Sequence, residues 1–162
     1  MTEYHAPLKD MRFALQELAG LPGILSLPAF NDVDDHTVQQ VLNEAANFAR
    51  DIIAPLNIPA DRAGCLVADR QVEIAEGFSE AYRQFVDNGW PSLSGAPAFG
   101  GMGLPHTVGL AAFEMWNSAS MAFALCPMLT GGAASTVAAH ASDKLKAIYL
   151  PKLISGEWSG TM

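Results

Sequence analysis

Charge is scarce in this chain. Asp, Glu, Lys and Arg make up 16% of its 162 residues, against roughly a quarter in an ordinary globular domain. Basic residues are scarcer still: 9 Lys and Arg stand against 17 Asp and Glu, for a net charge of −8. That balance excludes a generic nucleic-acid or anionic-membrane surface, since both need clustered positive charge. Cysteine is nearly absent. Cys65 and Cys126 lie far apart without the paired spacing of a zinc site or a disulfide framework, so both are expected to be buried thiols. No basic stretch followed by an apolar core opens the chain, so no signal peptide is read and a reducing, cytoplasmic setting is the default. Long alternating runs of Val and Ile are missing, as are repeats and heptads, which argues against a large sheet or a coiled coil.

Catalytic constellations are missing too. His5, His36, His106 and His140 share no spacing. No Ser/His/Asp, Cys/His or paired-carboxylate arrangement stands out, and no catalytic or metal-ligating residue is assigned. Asp34, Asp35, Glu44 and Asp51 are read as helix caps and a solvated face, the usual place of carboxylates.

What the chain does have is helical periodicity. Residues 1–30 form an N-terminal extension: Pro7 opens a helix with Leu8, Met11, Leu15 and Leu18 on one stripe. Gly20 closes it, and Leu21-Pro22-Gly23 is a turn. Residues 31–162 form the main domain. Val38, Val41, Leu42, Ala45, Phe48, Ala49 and Ile52 keep a helical period as far as Pro55. Leu56–Glu76 reads as an excursion, with at most a short hairpin at Val67 and Val72. Gly77 opens a further helix that turns Phe78, Ala81, Tyr82, Phe85 and Val86 inward, and Asn88-Gly89 ends it. Gly100, Gly101 and Gly103 resemble a phosphate loop only superficially: no strand precedes them and no Lys-Ser/Thr follows. A tight turn feeding a helix started by Pro105 is the better reading. Ser120 caps the next helix, in which Pro127 either makes a kink or marks a fresh start. The fold class is all-α, with five to seven helices in an orthogonal or bundle-like array.

Met115–Ser142 is uncharged over a length that spans a bilayer, but polar residues from Asn117 to His140 interrupt it. A helix buried inside protein, with no membrane span, is expected. Gly131, Gly132, Ala133 and Ala134 keep it narrow, so that a neighbouring helix or a ligand can come close. A last helix carries Lys144, Lys146 and Lys152, with Leu145, Ile148, Tyr149 and Leu153 at helical spacing, and stops at Ser155-Gly156-Glu157-Trp158.

The motif K-x-x-Y-L-P-x-L-x-x-G-E over Lys146–Glu157 resembles the acyl-CoA dehydrogenase family. The head Tyr4, Pro7, Leu8, Asp10, Met11, Phe13 and Leu15 resembles its longer-chain subgroup, and Gly100-Gly101-Met102-Gly103-Leu104 a turn that the family uses between two helices. The resemblance implies FAD-dependent α,β-dehydrogenation of an acyl-CoA thioester, an electron-transfer acceptor, and a homo-oligomeric full-length enzyme. It places Ala124, Leu125, Met128, Leu129 and Gly132 along the acyl-pocket wall and Met162 at the flavin. Plain core packing is the competing role for the wall residues. It also implies that the chain continues beyond Met162 through a Thr-Glu-Pro segment into a β-domain, so that this portion lacks the catalytic base and is inactive alone. If the chain is naturally complete, it is instead a helical binding or interaction module.

Overall fold

A computed structural model describes residues 4–161. The all-α expectation holds: helices dominate, and a three-residue-per-strand hairpin is the only sheet among the described residues.

The N-terminal segment folds as α1 (Leu8–Phe13), continued by a π turn (Ala14–Leu18), and α2 (Leu21–Leu25). Gly20, at φ 65°, separates them. Leu21 therefore starts a short helix instead of a turn, and it is buried. Met11, Leu15 and Leu21 join Val38 and Leu42 in one core. Leu18, the last member of the expected stripe, is exposed.

Asp34 caps α3 (Asp35–Phe48), its carboxylate accepting from the Thr37 amide at 2.7 Å. The sequence suggested a helix end at Pro55, but the rod continues through a π turn (Ala49–Ile53) into α4 (Ala54–Ala63). The Ala54 amide bonds the Ala49 carbonyl five residues back. That wider turn changes the hydrogen-bond register just ahead of Pro55, whose missing N–H and ring otherwise break a helix. The expected excursion thus shrinks to its second half. There β1 (Leu66–Ala68) pairs antiparallel with β2 (Gln71–Glu73), Val67 opposite Val72.

Helix α5 (Phe78–Asp87) ends at Asn88 and left-handed Gly89. It brings Phe85 into an aromatic cluster with Trp116 at 4.9 Å and Phe123 at 5.7 Å, both edge to face. Trp90 closes on Trp116 at 5.3 Å. The indole N–H groups of Trp90 and Trp116 are buried in this cluster without a hydrogen-bond acceptor among the described residues. Helix α6 (His106–Ala119) buries Val108, Ala112, Met115 and Trp116 against α3. Ser120, buried, then caps α7 (Met121–His140), which leads to α8 (Asp143–Ser155). Pro127 lies within α7, which is helical on both sides of it.

One further expectation fails. Cys65 and Cys126 are both exposed, one beside a hairpin with no buried residue and the other on an uncovered flank of α7. On α8 the buried residues are Leu150, Leu153 and Ile154, whereas Leu145, Ile148 and Tyr149 are exposed. The end of α8 packs under the loop that follows Trp90, where Ile154 meets Gly95 and Gly156 meets Pro91.

Candidate functional site: an uncharged groove along α7

Between Gly89 and Pro105 the chain makes two single 3-10 turns (Trp90–Ser92 and Pro97–Phe99) and folds back on itself. Met102, Gly103 and Leu104 amides donate to the carbonyls of Ser92, Gly95 and Leu93, and Gly100 and Gly101 donate to Pro97 and Ala96. A Cβ on Gly101 would lie 2.0 Å from the Gly95 carbonyl, so no other residue fits. Every amide from Gly100 to Leu104 is thereby spent inside the loop. A phosphate cradle needs such amides free and convergent, so the glycine turn is a structural closure.

That closed loop forms one end of a groove of about 700 Å³ between α6, α7 and the end of α8. Leu110 and Phe113 come from α6, Met128, Gly131, Gly132, Ala134 and Ala138 from α7, and Leu153 and Ile154 from α8. Its polar side chains are few: the Ser94, Thr130 and Ser135 hydroxyls, the Tyr82 phenol, the Trp90 and Trp116 indoles and His106. No Asp, Glu, Lys or Arg lines it. Burial, reinforced by the neighbouring Cys126 thiol, pushes the Tyr82 phenol above its ordinary pKa, and its hydroxyl donates to the Gly156 carbonyl at 3.2 Å. The volume suits a drug-sized or chain-like ligand. The lining suits an apolar, uncharged one, because a charge there would lose its hydration with no partner. Among the described residues no group of three His, Cys, Asp or Glu side chains converges on a metal-sized site.

Helix α7 is the open side of the molecule. It is long and apolar enough to cross a membrane by length and composition, yet only 17% of its apolar window is buried. Of the expected burial inside protein, residues 4–161 thus supply only a part. Phe123, Ala124 and Thr130 are its buried residues, Pro127, Leu129, Ala133, Ala134 and Val137 are half-buried, and its other positions are exposed. Two of its hydroxyls are satisfied on the helix itself, Thr130 by the Cys126 carbonyl and Thr136 by the Gly132 carbonyl, each at 2.9 Å.

The five residues placed on the acyl wall by sequence separate here. Met128 and Gly132 line the groove. Leu125, 46% exposed, and Leu129, partly buried, stand on the adjoining outer face. Ala124 is fully buried. Met162 lies outside the described residues. Sequence reasoning missed the opposite wall, formed by Leu110, Phe113 and the Ser94–Phe99 turn. The available signal was Leu110, an apolar residue off the inward stripe of α6 and 57% exposed.

Comparison with known proteins agrees with the resemblance carried by Lys146–Glu157. Residues 35–157 match the family model described as acyl-CoA dehydrogenase, N-terminal domain. A 3-methylmercaptopropionyl-CoA dehydrogenase from Ruegeria pomeroyi is 44% identical over 159 residues, 98% of this chain and 27% of the relative. A butyryl-CoA dehydrogenase from Syntrophomonas wolfei is 34% identical over 166 residues, again 98% and 27%. A broad-specificity linear acyl-CoA dehydrogenase from Mycobacterium tuberculosis is 27% identical over 110 residues, 67% of this chain and 18% of that protein. The chain thus spans about a quarter of the length of the first two relatives. With that match over most of its length, and with the helical fold that accompanies it, the chain belongs to the acyl-CoA dehydrogenase family as an N-terminal domain.

Proposed function

We propose that this chain is the N-terminal part of an FAD-dependent acyl-CoA dehydrogenase and that α7 supplies one wall of its acyl pocket. The observation that carries the reading is the uncharged groove beside Met128 and Gly132, on a chain of this family. Abstraction of an α-proton and departure of a β-hydrogen as hydride need a dry, apolar site around the thioester. Small and apolar residues on α7 meet that need by excluding water and seating the acyl chain. The absence of charge in the groove fits an alkyl chain and does not fit the phosphates of coenzyme A, which belong elsewhere.

FAD, when bound, supplies the hydride acceptor. The described residues do not build a cradle for its phosphates, since the glycine loop spends its amides internally. We assign flavin binding and the catalytic base to parts of the enzyme that correspond to the relatives' remaining length, and no catalytic residue to this chain. The polar breaks in α7, with hydroxyls bonded back to the helix, support a pocket wall covered by the rest of a protein over a bilayer span. The relatives' names place short and thioether-bearing acyl groups among the substrates to try first.

The test is anaerobic titration of the whole natural protein with an acyl-CoA series that includes butyryl-CoA and 3-methylmercaptopropionyl-CoA. Bleaching of a stoichiometric flavin is the expected result. A protein that purifies without flavin and leaves every thioester unchanged would instead support the helical interaction module.

A further inference from the structure

Thr130 lines the groove beside Gly131 and Gly132, yet its hydroxyl is engaged elsewhere. It is 4% exposed. Its hydroxyl donates to the Cys126 carbonyl at 2.9 Å and accepts from the Gly160 amide at 3.1 Å. One side chain thus ties the helix to the segment that leaves α8, thirty residues further on. The fit at the contact is close. A Cβ built on Gly160 would lie 2.5 Å from the Ala133 Cβ and 3.4 Å from the Leu129 carbonyl oxygen. Gly160 therefore lets the backbone lie flat on the turn Leu129–Ala133, and the Thr130 hydroxyl fixes it in register.

We infer that Thr130 is a positioning residue, which clasps the segment Trp158–Gly160 to α7 and so sets the width of the acyl groove that Thr130 lines beside Gly131 and Gly132. The inference rests on the proposed function above. Thr130, Gly131 and Gly132 are consecutive and all line the groove, so any lift of the segment changes the space next to them. A hydroxyl is required because it donates and accepts at once. Valine has the same shape without either capacity, and serine keeps both.

The experiment uses the whole natural enzyme with its flavin and the variants Thr130→Val, Thr130→Ser and Gly160→Ala. Three readouts are taken: hydrogen exchange at the Gly160 amide, thermal melting, and kcat and KM across an acyl-CoA chain-length series. In the wild type the Gly160 amide exchanges slowly. Thr130→Val and Gly160→Ala speed that exchange, raise KM roughly three- to tenfold, the worth of one buried hydrogen bond, change kcat less, and flatten the chain-length profile. Thr130→Ser restores both exchange and profile. Fast exchange at Gly160 in the wild type overturns the clasp. A lower melting point in Thr130→Val with KM and profile unchanged overturns the positioning role and leaves a structural bond. A wild type that oxidises no acyl-CoA sinks the proposed function and the positioning role together, while slow Gly160 exchange would still show the clasp itself.

Discussion

The two sides of this domain are built on opposite rules. On one side α3, α5 and α6 close around Phe48, Phe85, Trp90 and Trp116, rings in edge or tilted contact at 4.9–6.1 Å. Large side chains fill that space, and Phe85, Met115 and Leu42 are almost entirely buried. On the other side α7 presents Gly131, Gly132, Ala134 and Ala138 toward α6 and leaves a groove. Small residues at a helix contact usually serve close approach. Here a Cβ on Gly131 or Gly132 would meet nothing within 4 Å. The same residue types that elsewhere bring two backbones together keep them apart from anything on this side, and the space left is the site.

The comparison breaks most sharply at Phe85. Phe85→Ala is expected to cost about 3–5 kcal/mol of folding stability, because the cluster cannot collapse onto the cavity; denaturant unfolding measures it, and a loss below ~1 kcal/mol would mean the aromatic side is as loosely packed as the groove. Gly101→Ala comes next, at roughly 1–3 kcal/mol from overpacking against the Gly95 carbonyl, and a calorimetric melt that does not fall would contradict the closed loop. On the open side the sign reverses. Gly131→Phe is expected to gain roughly 0.3–0.5 kcal/mol, from helix propensity alone. In the whole enzyme it should also select against long acyl chains, each excluded methylene being worth ~0.8 kcal/mol at most. Met128→Ala should shift preference the other way, toward longer chains. Met128 is 43% exposed, so its truncation should cost less than the roughly 2–5 kcal/mol of a core methionine. An unchanged kcat/KM profile in both variants would remove the groove from the acyl site.

The smallest effect is a titration. The Thr37 hydrogen bonds hold the Asp34 carboxyl below its ordinary pKa. A group depressed in the folded state stabilises above its unfolded pKa, and the contribution fades as pH falls through the folded one. Wild type should therefore lose melting temperature on acidification faster than Asp34→Asn, which keeps a capping oxygen but has no proton to gain. Parallel melting curves from neutral pH downward would dismiss the cap as a stabilising feature.

Much of the closed side was legible in the sequence. Val38, Leu42, Ala45 and Phe48 repeat at helical spacing because one face of α3 is buried along its length, and burial imposes that period. The caps at Asp34 and Ser120 and the stop at Gly156, φ 79°, were readable because each satisfies a local backbone need. The open side was harder. Helix α7 is apolar nearly all round, so periodicity does not say which face turns inward. Leu125, Leu129 and Met128 share a stripe by spacing, but the groove takes Met128 and leaves the two leucines outside it. The α8 stripe is uncovered for a related reason: Leu145, Ile148 and Tyr149 follow a helical period but are exposed among the described residues, with Tyr149 resting its ring on Trp158 at 5.9 Å. A pattern of apolar residues reports that something covers a face. It does not report whether that cover comes from the same stretch of chain.

The π turn at Ala49–Ile53 acts as a phase shifter in the longest rod. Five residues occupy a turn that otherwise takes about four, so everything after it is rotated by about 100° relative to an unbroken helix. Leu56 depends on that angle: its Cδ2 lies 2.7 Å from where a Gly77 Cβ would stand, joining α4 to the start of α5. Removing one residue from 49–53 would restore a regular helix and turn Leu56 away from Gly77 while leaving composition and hydropathy almost unchanged. In this rod residue number is a structural coordinate, and a single-codon deletion would therefore do more harm than most substitutions at the same positions.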